Sequence, residues 1–272
     1  MPPSASPTDW VRRAVVLTTL GVPVQLRLSA PTAAQADELA QAVRRAWAWT
    51  LIDALTDALT EPPVDASAGD PVDLDVPLLD DVETTLHHLS SALTLGVIER
   101  QAGRLWMLHA AALADPASGA TVVLVAPSGT GKSTAARTLA RRWGYVTDET
   151  AGIAADGRVV PHPKPLSIVR PTTTVKAQVS PADAGLVRPE AAPWLAGIAI
   201  IERDGASPVA TTPVRTAVAL ARLGEQTSYV ARMERPLSFM ASLIERAGGV
   251  RLARYREAAE LEPLVAELME RA

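Results

Sequence analysis

The chain contains no cysteine. Disulfides, thiolate metal sites and thiol nucleophiles are therefore excluded, and the absence agrees with a reducing cytosol. It also lacks any apolar run approaching the eighteen or so residues that a membrane helix needs, so no membrane partner is expected. There is no basic tail, and the formal net charge is −4, which argues against a nucleic-acid partner. No internal repeat is visible. An export leader is not expected either. Arg12-Arg13 before Ala14-Val15-Val16-Leu17 resembles the start of a twin-arginine signal, but Thr18 and Thr19 interrupt the apolar run. Beyond them Val22, Val24, Leu26 and Leu28 alternate with other residues, which is the pattern of a half-buried strand. What is present is ample apolar material: 48% of 272 residues, enough for one large domain or two smaller ones.

The most informative stretch is Ala126-Pro127-Ser128-Gly129-Thr130-Gly131-Lys132-Ser133-Thr134. It has the spacing of a P-loop, with Ala126 where the first glycine is usual. Thr121 to Val125 is an apolar, β-branched run that predicts a buried strand. Lys132 to Trp143 predicts a helix, with Ala135, Leu139 and Trp143 on one face. Strand, glycine loop and helix is the context the motif requires. Gly129 and Gly131 would let the backbone turn its N–H groups inward toward phosphate oxygens. The helix N-terminus would add its positive dipole end. Pro127 through Thr134 would line the phosphates, Lys132 would reach the β- and γ-phosphates, and the Ser133 hydroxyl would sit on Mg²⁺.

The rest can be placed around that loop. Residues 1–9 are Pro- and Ser-rich and predict a frayed end. Residues 13–19 and 22–29 predict two strands joined near Gly21, and Pro31-Thr32 opens a helix carrying Leu39, Val43 and Trp47. Residues 61–78 hold four prolines and five acids and predict a linker. Asp80-Asp81 start a helix whose stripe is Val82, Leu86, Leu89, Leu93 and Val97; His87 and His88 lie on it with no ligand-spaced partner. Arg104 to Ala114 predicts a strand that puts His109 beside the loop strand, through a turn at 115–120. Tyr145-Val146-Thr147 predicts a short strand delivering Asp148 and Glu149, only sixteen positions after Lys132. One helix out and one strand back returns the chain beside the loop. Carboxylates there can face phosphates and Mg²⁺. Asp156-Gly157 marks a hairpin. The alternating Pro161, Pro163 and Pro165 hold an extended segment presenting Lys164, a cation that could serve a phosphate or simply be solvated. Residues 170–194 read as irregular and Leu195–Ile201 as a strand. Helices follow near 214–223 and 236–247, then a strand at Val250–Tyr255 and a helix from Glu257 to Arg271. Arg215, Arg222, Arg232 and Arg235 are candidates for a transition-state cation, with no way to choose among them.

His109 on a strand, the hairpin, Pro127 to Ser133, and Gly144-Tyr145-Val146-Thr147-Asp148-Glu149 together resemble the catalytic core of the HPr kinase/phosphorylase family, over roughly residues 100–205. They are most similar to its HPr kinase-related bacterial branch, which shares a fold with phosphoenolpyruvate carboxykinase. The resemblance implies ATP and Mg²⁺ as cofactors. It implies Asp148 as the base for an incoming hydroxyl or a Mg²⁺ ligand, Glu149 sharing those roles, and His109 near them. Lys164 matches a lysine in a Pro-Lys-Pro setting. Two departures are visible: Glu149 stands where the family has aspartate, and Leu195-Ala196-Gly197-Ile198 lacks the arginine of the family's later signature.

The expected fold is therefore α/β: a P-loop core of HPr kinase/phosphoenolpyruvate carboxykinase type with a mixed β-sheet over 79–272, after a smaller N-terminal α+β unit over 1–78. The expected function is that of a cytoplasmic, Mg-dependent kinase. It would transfer the γ-phosphate of ATP to a serine-type hydroxyl on a peptide, protein or small molecule. The alternative is a nucleotide-dependent switch or assembly factor without phosphotransfer. A homo-oligomer is compatible with either.

Overall fold

A computed structural model of the chain describes residues 9–52, 71–171, 173–205 and 210–271. Its elements run β1 (Val11–Thr19), β2 (Val22–Ala30), α1 (Ala33–Ala46), β3 (Val72–Pro77), α2 (Val82–Arg100), β4 (Trp106–Ala114), β5 (Ala120–Val125), α3 (Lys132–Leu139), β6 (Gly144–Thr147) and β7 (Thr150–Ile153). There follow β8 (Val159–Val160), β9 (Leu166–Arg170), β10 (Thr173–Val179), β11 (Trp194–Arg203), β12 (Ala210–Val214), α4 (Thr216–Gly224), β13 (Thr227–Ser228), α5 (Pro236–Arg246), β14 (Val250–Tyr255) and α6 (Glu262–Glu270). The protein is thus α/β, with mixed sheets and six α-helices among the described residues. No helix among those residues is long and apolar enough to cross a membrane.

The chain divides into two compact units: residues 1–100 with 164–184, and residues 101–163 with 185–272. In the first, β1 and β2 form an antiparallel hairpin and β3 adds to β2 in parallel. The alternation of β2 is clean: Val22, Val24, Leu26 and Leu28 are fully buried while Gln25 and Arg27 face out, as a one-sided sheet requires. Helix α1 covers that sheet with Leu39 and Val43, and Thr32 caps it by accepting the Gln35 N–H. Helix α2 packs on β3 and on the β9–β10 hairpin.

Three expectations need correction here. The segment taken as linker, 61–78, contains strand β3; its part 61–70, like residues 1–8, lies outside the described residues. Val72, Leu74 and Val76 alternate with Asp73 and Asp75, and Arg27 on β2 pairs with both acids. The prolines and acids of 61–78 have loop composition, and the period of two lies within it. Residues 170–194, read as irregular, include β10, which pairs back on β9 through Thr173, Ala177, Gln178 and Val179. The division expected at 78/79 does not coincide with the observed one, because α2 buries its apolar stripe within the first unit.

The second unit is built on a nine-stranded sheet of order β12-β14-β11-β5-β4-β7-β8, with β6 and β13 also paired to β4. Strands β5, β11 and β14 are parallel. Strand β4 is antiparallel to β5 and to β6, so β6 runs parallel to β5 on the far side of β4. Strand β5 is buried along its whole length, which explains a continuous apolar run in place of alternation. One sheet face, with Leu108, Ala110, Val123 and Ile198, packs on Leu223 of α4 and Met240 and Leu243 of α5. The other carries α3 against β4 and α6 against β5 and β11. Helix α3 ends at Leu139, one turn short of the expected Trp143, with Ala140 as its C-cap.

Candidate functional site

Because β5, β6, β11 and β14 share one direction, their C-terminal ends meet at one edge of the sheet, the edge at which open α/β sheets present their ligand crevices. Strand β5 ends at Val125, directly opposite Ala110 of β4. The chain then makes the turn 126–131 and enters α3. Gly129 has φ +81° and Gly131, the N-cap of α3, has φ +99°, values that only glycine adopts without strain. No side chain caps the first turn of α3, so its leading N–H groups point outward from the helix start. Pro127, Ser128, Gly129, Ser133 and Thr134 are exposed.

Lys132 is the exception, at 5% exposure. Its ammonium donates to the carbonyl oxygens of Ala126 (2.6 Å) and Pro127 (2.9 Å). Loss of water around it lowers its pKa to about 8, against the opposing pull of Asp148 and Glu149. The loop is fastened twice more. The Thr130 hydroxyl donates to the Pro127 carbonyl at 2.8 Å, and the Tyr255 hydroxyl, from the end of β14, donates to the Thr130 carbonyl at 3.0 Å.

Across β4 lies the acidic pair. The Glu149 carbonyl accepts the Ala110 N–H at 3.0 Å, so Ala110 has the end of β5 on one side and the acids on the other. Two strand spacings separate those backbones, about 10 Å, a gap that a lysine from one side and carboxylates from the other reach into. Thr147 sets the turn that presents them: its hydroxyl accepts the N–H groups of Glu149 and Thr150, both at 3.2 Å. Asp148 is buried, at 4% exposure, and Tyr145 donates its hydroxyl hydrogen to Asp148 Oδ1 at 2.9 Å. Burial first, and then the adjacent Asp148 charge, push the Tyr145 phenol far above its ordinary range; it remains a donor at any working pH. Glu149 is half-buried.

His109 sits one position before Ala110. Burial and then Lys132 lower its pKa, while Glu149 and Asp148 raise it. The ring is therefore predominantly neutral near pH 7. Lys132, His109, Asp148 and Glu149 thus converge in one unit, as the sequence predicts. Lys164 falls within the residue range of the first unit, where it is buried and donates to the Pro165 carbonyl at 3.3 Å.

Of the four arginines, Arg222 is held by Glu202 at 2.7 Å and Arg232 lies over the Tyr229 ring at 4.9 Å. The sequence reading missed Tyr145, Thr147 and Tyr255 as parts of the site. Tyr145 stands three residues from Asp148 and was within reach of local reasoning; Tyr255, 125 residues from Thr130, carried no local signal.

Chemically, an open glycine turn, an uncapped helix start and a desolvated lysine favour an anion. Two carboxylates opposite can hold a proton or a divalent cation. Among the described residues no group of three or more His, Asp and Glu could hold a metal ion. No protein-family model matches the chain, and no curated protein matches it.

Proposed function

We propose that this protein binds ATP through residues 127–134 and transfers its γ-phosphoryl group to a hydroxyl acceptor, in the manner of the HPr kinase-related proteins that the sequence resembles. The observation that carries the reading is the meeting across β4 of Lys132, at the uncapped start of α3, with the buried carboxylate of Asp148. A nucleotide fits this arrangement: a Cβ at Gly129 would meet nothing within 4 Å, so the turn leaves room beside its backbone for a ligand. Magnesium fits as well, through the exposed Ser133 hydroxyl and Asp148, because Mg²⁺ held by phosphate oxygens and water needs only one or two protein ligands. Bound there, the ion would neutralise charge on the phosphates.

The backbone N–H groups of the loop and Lys132 bind and orient the triphosphate. Glu149 or Asp148 takes the acceptor's proton as its oxygen bonds to the γ-phosphorus, and the bond from phosphorus to the β-bridging oxygen breaks to release ADP. Tyr145 fixes the orientation of Asp148. His109, neutral, offers a hydrogen bond and no charge. The two carboxylates oppose the charge of a polyphosphate unless a cation stands between them, so nucleotide affinity depends on added Mg²⁺.

The test is transfer of labelled γ-phosphate from Mg·ATP into a lysate of the cells that make the protein. Wild type is compared with Asp148→Asn and Lys132→Ala. Kinase activity predicts a labelled product that needs both residues, with Asp148→Asn still binding nucleotide. No product, with ATP bound by wild type and lost in Lys132→Ala, would replace the kinase by a nucleotide-dependent switch.

A further inference from the structure

The sheet holds a vacancy in its hydrogen-bonding lane at the place where β5 ends, and another part of the chain fills it. Val125 pairs with Ala110; the next two positions of β4 toward its N-terminus are not paired with residues that follow Val125. Instead the His109 N–H donates to the Gln226 carbonyl at 2.8 Å, and β13 continues the lane with Thr227 opposite Leu108 and Ser228 opposite Met107. Gln226 therefore occupies the lane position directly after Val125, where the glycine loop leaves the sheet.

The residue that follows Gln226 is anchored to the sheet's apolar face. The Trp106 indole N–H donates to the Thr227 hydroxyl at 3.0 Å, and Trp106 belongs to the apolar cluster packed on α4 and α5. Thr227 thus faces that side. Gln226 itself lies in the turn between α4 and β13, its own N–H donating to the Leu223 carbonyl at 3.0 Å, and its carbonyl is held by His109. The residue is half-buried, and its carboxamide has no hydrogen-bond partner among the described residues. A carboxamide carries two donors and an acceptor, all of them open to a ligand here.

We infer that the Gln226 carboxamide donates to the outermost phosphate of a bound nucleoside triphosphate, and so distinguishes triphosphate from diphosphate. The inference rests on the proposed nucleotide site. Lys132 reaches that phosphate from the loop, His109 and the acids flank it from β4 and β6, and Gln226 closes the remaining side. A neutral amide suits the position: it adds a donor without adding to the charge that Lys132 already supplies, and it leaves the carboxylates free for the acceptor's proton.

Dissociation constants for Mg·ATP and Mg·ADP are measured by calorimetry on the full chain for wild type, Gln226→Ala and Gln226→Glu, alongside thermal melts. Loss of one hydrogen bond to a charged oxygen weakens ATP binding about tenfold in Gln226→Ala, with ADP unchanged. The carboxylate in Gln226→Glu repels the same phosphate, weakening ATP by about a hundredfold and ADP much less. Variants that alter both nucleotides equally, or neither, overturn the contact and leave the nucleotide site standing. Wild type that binds neither nucleotide overturns the site itself, and this inference with it.

Discussion

Gly119, at the N-terminal end of β5, has φ +77°, and a Cβ there would lie 2.2 Å from the Ala192 carbonyl oxygen. Around it Asp115 accepts hydrogen bonds from the Ala117 and Ser118 N–H groups and the Ser118 hydroxyl. The Trp194 indole closes on the Ser118 carbonyl at 3.0 Å. Gly129, at the other end of the same strand, has φ +81°, and a Cβ there would meet nothing within 4 Å. Both glycines carry the same local signal in sequence, a turn after or before an apolar run. Only packing separates them. The first is required by the packing of the protein's own backbone, whereas no described residue approaches the second, whose φ alone calls for glycine.

The comparison can be broken most directly by adding one carbon at each end. Gly119→Ala places a Cβ against backbone in a left-handed conformation, and the strain and overpacking together cost about 3 kcal/mol or more. Gly129→Ala carries only the left-handed penalty, about 1–2 kcal/mol, yet weakens ATP binding. Urea denaturation and calorimetry on both variants measure the pair; equal stability losses would erase the distinction.

The next largest effect is expected at Lys132. Lys132→Met weakens ATP binding by at least about tenfold, the loss of a charge-assisted contact. It leaves the free energy of unfolding equal or higher, because a desolvated cation is removed. A matching loss of stability would make Lys132 a structural anchor instead.

Acidity then sharpens the same point. A lysine held at about 8 gives up its proton as pH rises through that value, so ATP affinity falls by up to about tenfold per pH unit above it. Binding near pH 8 takes up a proton, which calorimetry in buffers of different ionisation enthalpy detects.

The smallest effect lies back at the closed end. Asp115→Ala costs about 1–2 kcal/mol through lost turn hydrogen bonds, and nucleotide affinity is untouched. The bonds from Ser118 first hold the Asp115 carboxyl below its ordinary value of 3.8. Its contribution is therefore complete above that value and is lost as pH falls through the folded one. Acid titration of wild type against Asp115→Ala reads that difference.

Much of this architecture was legible in the sequence. The β1–β2 hairpin, α1, α2, the β4–β5 hairpin and the strand delivering Asp148 follow from period and turn chemistry, which are local. The failures were of two kinds. Strand β3 and the β9–β10 hairpin were hidden by prolines, acids and threonines that suit loops, and only pairing partners elsewhere make them strands. Gln226 and Tyr255 had no signal at all, because the register of β13 on β4 and the bond from Tyr255 to Thr130 join residues over a hundred positions apart.

The chain passes from the second unit to the first after Pro163 and back at Gly185. Neither unit is contiguous in sequence, so no single truncation point yields the second unit intact. Removing residues 1–100 would strip residues 164–184 of most of their unit while leaving them tethered at both ends. During synthesis the central sheet stays incomplete until β14 emerges, 130 residues after the start of β5, so the loop must wait, tied at one end only, for the tyrosine that will hold it.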